Sequence, residues 1–181
     1  MNGKRAAIVL SVTLAFVSAA VWLSAADPSA QTQRDNLMKT FQAGNFKDAY
    51  EGLRKLALDP KDDPAKVGDD LTTAITCLQR LGRSDEIDDF REAVIEAHKT
   101  NWRLLETVAE SYASNSMEHY GFIVAGKFYR GNKHGGGRYV GTMERDRSRA
   151  LQLMQQALPL TAKENAKATL ASFHLQFAQM L

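Results

Sequence analysis

The stretch Gly44-Asn45-Phe46-Lys47-Asp48-Ala49-Tyr50-Glu51-Gly52-Leu53-Arg54-Lys55-Leu56-Ala57-Leu58-Asp59-Pro60 opens on a Gly-Asn break and closes on an Asp-Pro stop. Between them Phe46, Ala49, Tyr50, Leu53, Leu56 and Ala57 recur at helical spacing on one face. A helix this short buries such a stripe only against neighbouring helices, so the stretch predicts a stack of helical hairpins.

The flanking sequence follows the same pattern. A first helix is expected over about 33–43, with Leu37, Met38 and Phe41 as its apolar side and Gly44 as its end. A third helix is expected after the loop at 59–63, with Asp63 as cap and Pro64 in its first turn, and with Leu71, Ala74, Ile75, Leu78 and Leu81 facing inward. Gly82 breaks it, and Ser84-Asp85-Glu86 starts a fourth carrying Ile87, Phe90, Val94 and Ala97. Asn101 opens a fifth, through Trp102, Leu105, Val108, Ala109 and Tyr112. A sixth is expected over 118–129, a glycine-rich loop over 131–141, and a seventh helix over 142–158 with Met143, Ala150, Leu151, Met154, Ala157 and Leu158 as its stripe. Thr161 and Glu164 have the spacing of a capping box before an eighth helix with Ala166, Leu170, Phe173, Phe177 and Met180. No strand is expected. The fold class is all-α: a right-handed stack of helical hairpins, about eight helices in all.

The N-terminus has a different character. Lys4-Arg5 precedes an apolar run to Leu23 and then Ser24-Ala25-Ala26, the order of a signal peptide with small residues before a cut after Ala26. The run approaches the about 18–20 residues that span a bilayer, so an uncleaved anchor is the alternative. Either way the remainder is expected outside the inner membrane: periplasmic, extracellular, or anchored to that membrane's outer face. No cysteine follows the apolar run, which excludes a bacterial lipoprotein anchor. The expected organisation is therefore 1–26 signal or anchor, 27–32 linker, and 33–181 helical-repeat domain.

The formal charge of +2 comes from Lys4 and Arg5; beyond the first 26 residues 21 bases meet 21 acids. A neutral chain of this kind is not expected to bind nucleic acid, or a membrane other than through the N-terminal segment. The neutrality is uneven: residues 59–92 hold ten acids and five bases, while 127–149 hold seven bases and two acids. These patches attract each other, attract a second molecule, or offer the basic one to an acidic partner. The single cysteine, Cys77, permits no intrachain disulfide and reads as a small buried group on a helix face.

Residues with chemical potential are few. In the segment 127–141, glycines allow backbone amides to converge on an anion, and Arg130, Lys133, His134 and Arg138 supply charge. A phosphate or sulfated sugar is a conceivable ligand. The segment lacks the Gly-Lys-Ser/Thr ending of a P-loop and follows no expected strand, so an inter-repeat loop is the plainer reading. His98, His119, His134 and His174 have no ligand-like spacing, and the acidic pairs Asp62-Asp63 and Asp69-Asp70 lack the glycine punctuation of a calcium loop. Tyr120, Phe122, Phe128, Tyr129 and Tyr139 are expected to anchor the core and the loop. No nucleophile motif, no metal site and no cofactor is expected.

Two resemblances bear on function. Gly44-Asn45-Phe46-Lys47-Asp48-Ala49 resembles the Gly-Asp-Tyr-x-x-Ala core of tetratricopeptide repeats, and Asp59-Pro60 their terminal Asp-Pro. Gly82-Arg83-Ser84 repeats the break in outline, although Ile87 replaces the expected alanine and the glycine loop stretches the third unit. Separately, Gly121-Phe-Ile-Val-Ala-Gly-Lys-Phe-Tyr-Arg-Gly131, Gly135-Gly-Gly-Arg-Tyr-Val140 and the Glu144–Met154 run are similar to the N-terminal helical region of large secreted bacterial alpha-2-macroglobulin-like proteins. That resemblance implies a non-catalytic interaction module, with a protein partner in the cell envelope, at the head of an endopeptidase inhibitor. The family's thioester motif Cys-x-Glu-Gln has no counterpart here, since Cys77 lies in Thr76-Cys77-Leu78-Gln79. The apolar ending Leu175-Gln-Phe-Ala-Gln-Met-Leu181 has no polar capping helix, which suggests the leading piece of a longer protein. An anion-binding protein or enzyme using residues 130–141 is the alternative expectation.

Overall fold

The computed structural model describes residues 28–114, 117–132 and 136–181. The expected signal or anchor at 1–26 lies outside the described residues. The rest is mostly helical, with seven α-helices and a small three-stranded sheet among the described residues.

The helices are α1 (Pro28–Gln42), α2 (Phe46–Ala57), α3 (Val67–Arg80), α4 (Ile87–Ala97), α5 (Trp102–Ala113), α6 (Met143–Ala157) and α7 (Lys167–Met180). In α2, Ala49, Tyr50, Leu53, Leu56 and Ala57 are buried as the spacing predicts, and α2 packs on α1 and α3. The ends of α1 and α3 are alike. Gly44 (φ +81°) and Gly82 (φ +67°) adopt the left-handed conformation that terminates a helix. The next residue then bonds back across the last turn, Asn45 N–H to the Thr40 carbonyl at 3.1 Å and Arg83 N–H to the Leu78 carbonyl at 2.9 Å. Asn101 caps α5, accepting from the Leu104 N–H, and donates to the Pro64 carbonyl at 2.7 Å. One apolar cluster runs from α2 through α3, α4, α5 and α6 to Phe173 of α7. Cys77 is part of it, buried and unpaired, and burial pushes its thiol pKa up.

Several expectations need correction. Helix α1 begins at Pro28, so most of the expected linker is helical. Pro64 lies in a turn ahead of α3, which starts at Val67, and Asp63 accepts the Ala65 N–H instead of capping a helix. Thr161 and Glu164 form no capping box: Leu158–Lys163 is a 3₁₀ segment, Thr161 donates to the Leu158 carbonyl, and Glu164 accepts the Ala166 N–H. On α6, Leu153 is buried and Met143 exposed, and Leu158, expected on its stripe, is exposed at the start of the 3₁₀ segment.

The largest correction is the sixth helix. Residues expected to be helical form β1 (Tyr120–Val124) and β2 (Lys127–Arg130), and part of the expected loop forms β3 (Arg138–Gly141). Ala125 (φ 49°) and Gly126 (φ 83°) make the two-residue turn between β1 and β2, both left-handed as a tight antiparallel hairpin requires. Strand order is β2-β1-β3, antiparallel throughout. The sheet therefore occupies the connection between α5 and α6, and β2 rests against the 3₁₀ turn at Ser84–Glu86.

Candidate functional site

A knot of buried charge holds the sheet to the helices. Arg130 is 1% exposed and all five of its guanidinium N–H groups are used. Nε and Nη2 donate to Asp88 at 2.9 and 3.1 Å, Nη2 and Nη1 to Asp146 at 2.7 and 2.8 Å, and Nη1 also to the Glu118 carbonyl at 2.7 Å. Thr142 Oγ1 donates to Asp146 at 2.8 Å. The His119 ring bridges Asp146 through Nδ1 and the Ser114 carbonyl through Nε2, each at 3.0 Å. Arg91, also buried, donates to the Ser111 carbonyl and lies over the Tyr112 ring at 4.3 Å.

The electrostatics follow from this packing. Burial opposes the charge on Arg130, but the hydrogen bonds to Asp146 and Asp88 outweigh it and raise its pKa. Burial alone would lift the Asp146 pKa; the bonds from Arg130, Thr142 and His119 bring it below the usual carboxylate value. Arg91 is pressed the other way, its pKa lowered by burial. A His–Asp pair at this distance has the geometry of a base and its orienting acid. Here, however, both imidazole nitrogens face protein acceptors, so neither is turned toward a substrate.

The four residues considered for anion binding are placed as follows. Arg130 is the centre of the knot, with no donor left for a ligand. Arg138 is exposed on β3, on the far side of β1 from Arg130. Lys133 and His134 lie outside the described residues. The two charge patches instead find each other: Arg130 and Arg145 pair with Asp88, Lys127 with Asp89 at 3.8 Å, and Arg149 with Glu92 at 2.6 Å. The basic segment is thus largely neutralised by the acidic one.

A second arrangement, which the sequence reading missed, is a trough along α1, α3 and α5. A hollow of about 420 Å³ between α1 and α3 is lined by Arg34, Asp35, Asp69 and Thr73 among others. A neighbouring hollow of about 280 Å³ between α3 and α5 shares Asp69 and adds Arg103, Glu106 and Thr107. A third, about 460 Å³, continues past Arg103 to the loop at Pro60. Arg34 is 5% exposed and pairs with Asp62 and, at 2.8 Å, with Asp70, while its Nη1 is buried without a partner. Asp62 and Asp70, one from each of the acidic pairs that lack calcium-loop spacing, are the ion-pair partners that fix it. The carboxylates of Asp69 and Glu106 make no hydrogen bond or ion pair among the described residues. Burial, reinforced by Glu110 one turn on, pushes Glu106 up to about 7. The only signal available in the sequence was the helical spacing of Glu106 and Glu110, which reads like any solvated acidic face.

Among the described residues no group of histidine, cysteine and acidic side chains could hold a metal ion, and no helix is long and apolar enough to cross a membrane. Compared with known proteins, the chain matches no family model, no curated protein and no solved structure.

Proposed function

We propose that this chain is an exported, non-catalytic helical-repeat module that binds a protein partner in the cell envelope, and that it forms the N-terminal part of an alpha-2-macroglobulin-like endopeptidase inhibitor. The observation that carries the binding role is the trough. It runs across the first helix of each successive pair and presents two carboxylates without ion-pair partners among the described residues, the exposed Asp69 and the half-buried Glu106. Polar groups away from solvent are normally satisfied, and the half-buried, partnerless Glu106 beside Asp69 in adjoining hollows favours an external ligand with complementary donors. A segment of another protein, with basic side chains for the carboxylates, fits that description.

A tetratricopeptide-like, right-handed arrangement is part of the same reading. Its support is the matching helix ends at Gly44 and Gly82, each leading into a second amphipathic helix. In the third unit the sheet stands where that glycine turn would be. The competing reading, an anion site on residues 130–141, loses Arg130 to the knot.

Two experiments test the proposal. Capture from envelope extract on the immobilised protein is expected to recover one specific protein; recovery of nothing specific counts against an interaction module. For the inhibitor assignment, the reading frame beyond the codon for Leu181 is expected to continue into β-rich sequence carrying a Cys-x-Glu-Gln motif. A stop codon there would remove that assignment and leave the binding role standing.

A further inference from the structure

Of the described histidines, only His119 sets an acceptor against each ring nitrogen: the Asp146 carboxylate at Nδ1 and the Ser114 carbonyl at Nε2, both at 3.0 Å. A neutral imidazole carries one N–H and one bare lone pair, so it donates to only one of them. The other contact would then oppose lone pair to lone pair at hydrogen-bond distance. With a proton on each nitrogen the ring donates to both, and the observed geometry is that of the imidazolium. Neither acceptor relies on His119 alone. Asp146 Oδ2 also accepts from Arg130 Nη1 and Thr142 Oγ1, and the Ser114 carbonyl also accepts the Met117 N–H at 3.0 Å. Loss of the second proton therefore strands no buried group.

The charges around the ring pull in both directions. Ser114 closes α5, where a helix end favours a cation, and Asp146 in the first turn of α6 adds a full negative charge. Against these stand three guanidinium groups. Arg130 of β2 is bonded to the same carboxylate, and Arg145 of α6 lies 3.5 Å from its other oxygen. Arg147 of α6 shares a hollow of about 170 Å³ with His119, through which solvent reaches the ring. The other helices facing that hollow add no charge. Tyr112 of α5 donates its hydroxyl to Glu92 of α4 and is kept neutral by burial, and α7 offers only Gln179 and Met180. The neighbouring Glu118 carboxylate lies against Gly131 instead. Two acceptors and a helix end thus hold the second proton against three cations, which makes it releasable.

We propose that His119 is a proton-operated latch between the end of α5 and the first turn of α6. Charged, it ties the Ser114 carbonyl to Asp146. Neutral, it keeps its N–H on the carboxylate, the stronger acceptor, and lets the carbonyl go. The bonds from Arg130 to Asp88 and Asp146 involve neither ring nitrogen, so the knot stays closed in both states. The latch is independent of the trough and of what binds there.

The test is NMR of the isotope-labelled full chain, following ring nitrogens and backbone amides from about pH 5 to about pH 8, where histidines change charge. The His119 ring is expected to carry a proton on both nitrogens at the acid end and on Nδ1 alone at the other. Exchange of the Met117 amide, corrected for its intrinsic pH dependence, is expected to quicken about tenfold as the second proton leaves, the worth of one hydrogen bond to a charged group. The Thr142 amide, which donates to the His119 carbonyl at 2.8 Å, keeps its protection. In His119→Gln the corrected Met117 rate is expected to be the same throughout. The ring measurement needs no variant, so it decides even where His119→Gln fails to fold. A ring holding a single proton across the range overturns the proposal, as does a neutral ring protonated at Nε2. So does a Met117 step that persists in His119→Gln, or a ring that titrates without any Met117 step.

Discussion

Arg130 shows how far a residue's role depends on what surrounds it. In a glycine-rich basic segment it reads as a ligand for an anion; folded, its anions are Asp88 and Asp146 of the same chain. Removing one partner of a buried ion pair leaves the other charge uncompensated, which costs about 3–5 kcal/mol. Arg130→Met is therefore expected to lower stability by that amount in denaturant unfolding, a far larger loss than for Arg138→Met on the exposed edge. The knot also sets an acid limit. The Asp146 pKa is lower folded than unfolded, so its contribution is present above the unfolded value and lost as pH falls through the folded one.

Glu106 has the opposite sign. Its folded value of about 7 lies above that of a free glutamate, so the folded state prefers it protonated. Its effect on stability is thus most favourable below the unfolded value and is lost as pH rises to about 7. Glu106→Gln is expected to remove that dependence and to stabilise the protein above pH 7. The gain is about 1 kcal/mol after allowing for solvent screening of a half-exposed group. Thermal unfolding across that pH range checks both the sign and the size. The role of Arg130 was not legible in the sequence, because its partners lie 42 and 16 positions away; for Glu106 the burial that shifts it comes from the packing of the helices.

At the scale of elements, the helices were legible wherever an apolar stripe, a terminating glycine and a cap agreed. The α2 stripe and the caps at Gly44, Gly82 and Asn101 are examples. The sheet was not. Tyr120–Val124 and Lys127–Arg130 are five- and four-residue runs whose aromatic and β-branched residues suit a strand, and Ala125-Gly126 is a two-residue turn between them. That signal was overridden by the helical rhythm on either side. The packing makes the strand assignment specific. A Cβ on Gly121 would fall inside contact distance of the Tyr129 carbonyl oxygen and 2.6 Å from the Phe128 ring. Gly121→Ala is expected to cost about 3 kcal/mol and to loosen the sheet while α1, α2 and α3 persist. Hydrogen exchange would show this as faster exchange confined to the amides of 120–141; uniform protection there would contradict the strand packing.

For the whole molecule, the uneven charge of the sequence becomes an internal joint. The acidic stretch supplies Asp88, Asp89 and Glu92, and the basic stretch supplies Lys127, Arg130, Arg145 and Arg149. In the trough of α1, α3 and α5, the carboxylates of Asp69 and Glu106 have no ion-pair partner among the described residues. Composition could not reveal that, because it reports totals and not which carboxylates lack partners. The most direct measurement compares capture from envelope extract by the wild-type chain and by a double variant, Asp69→Lys with Glu106→Lys, each confirmed as folded by circular dichroism. The expected result is a specific protein retained by the wild type, lost from the double variant and retained by Arg138→Ala. Equal capture by wild type and double variant would show that the trough is not the binding surface.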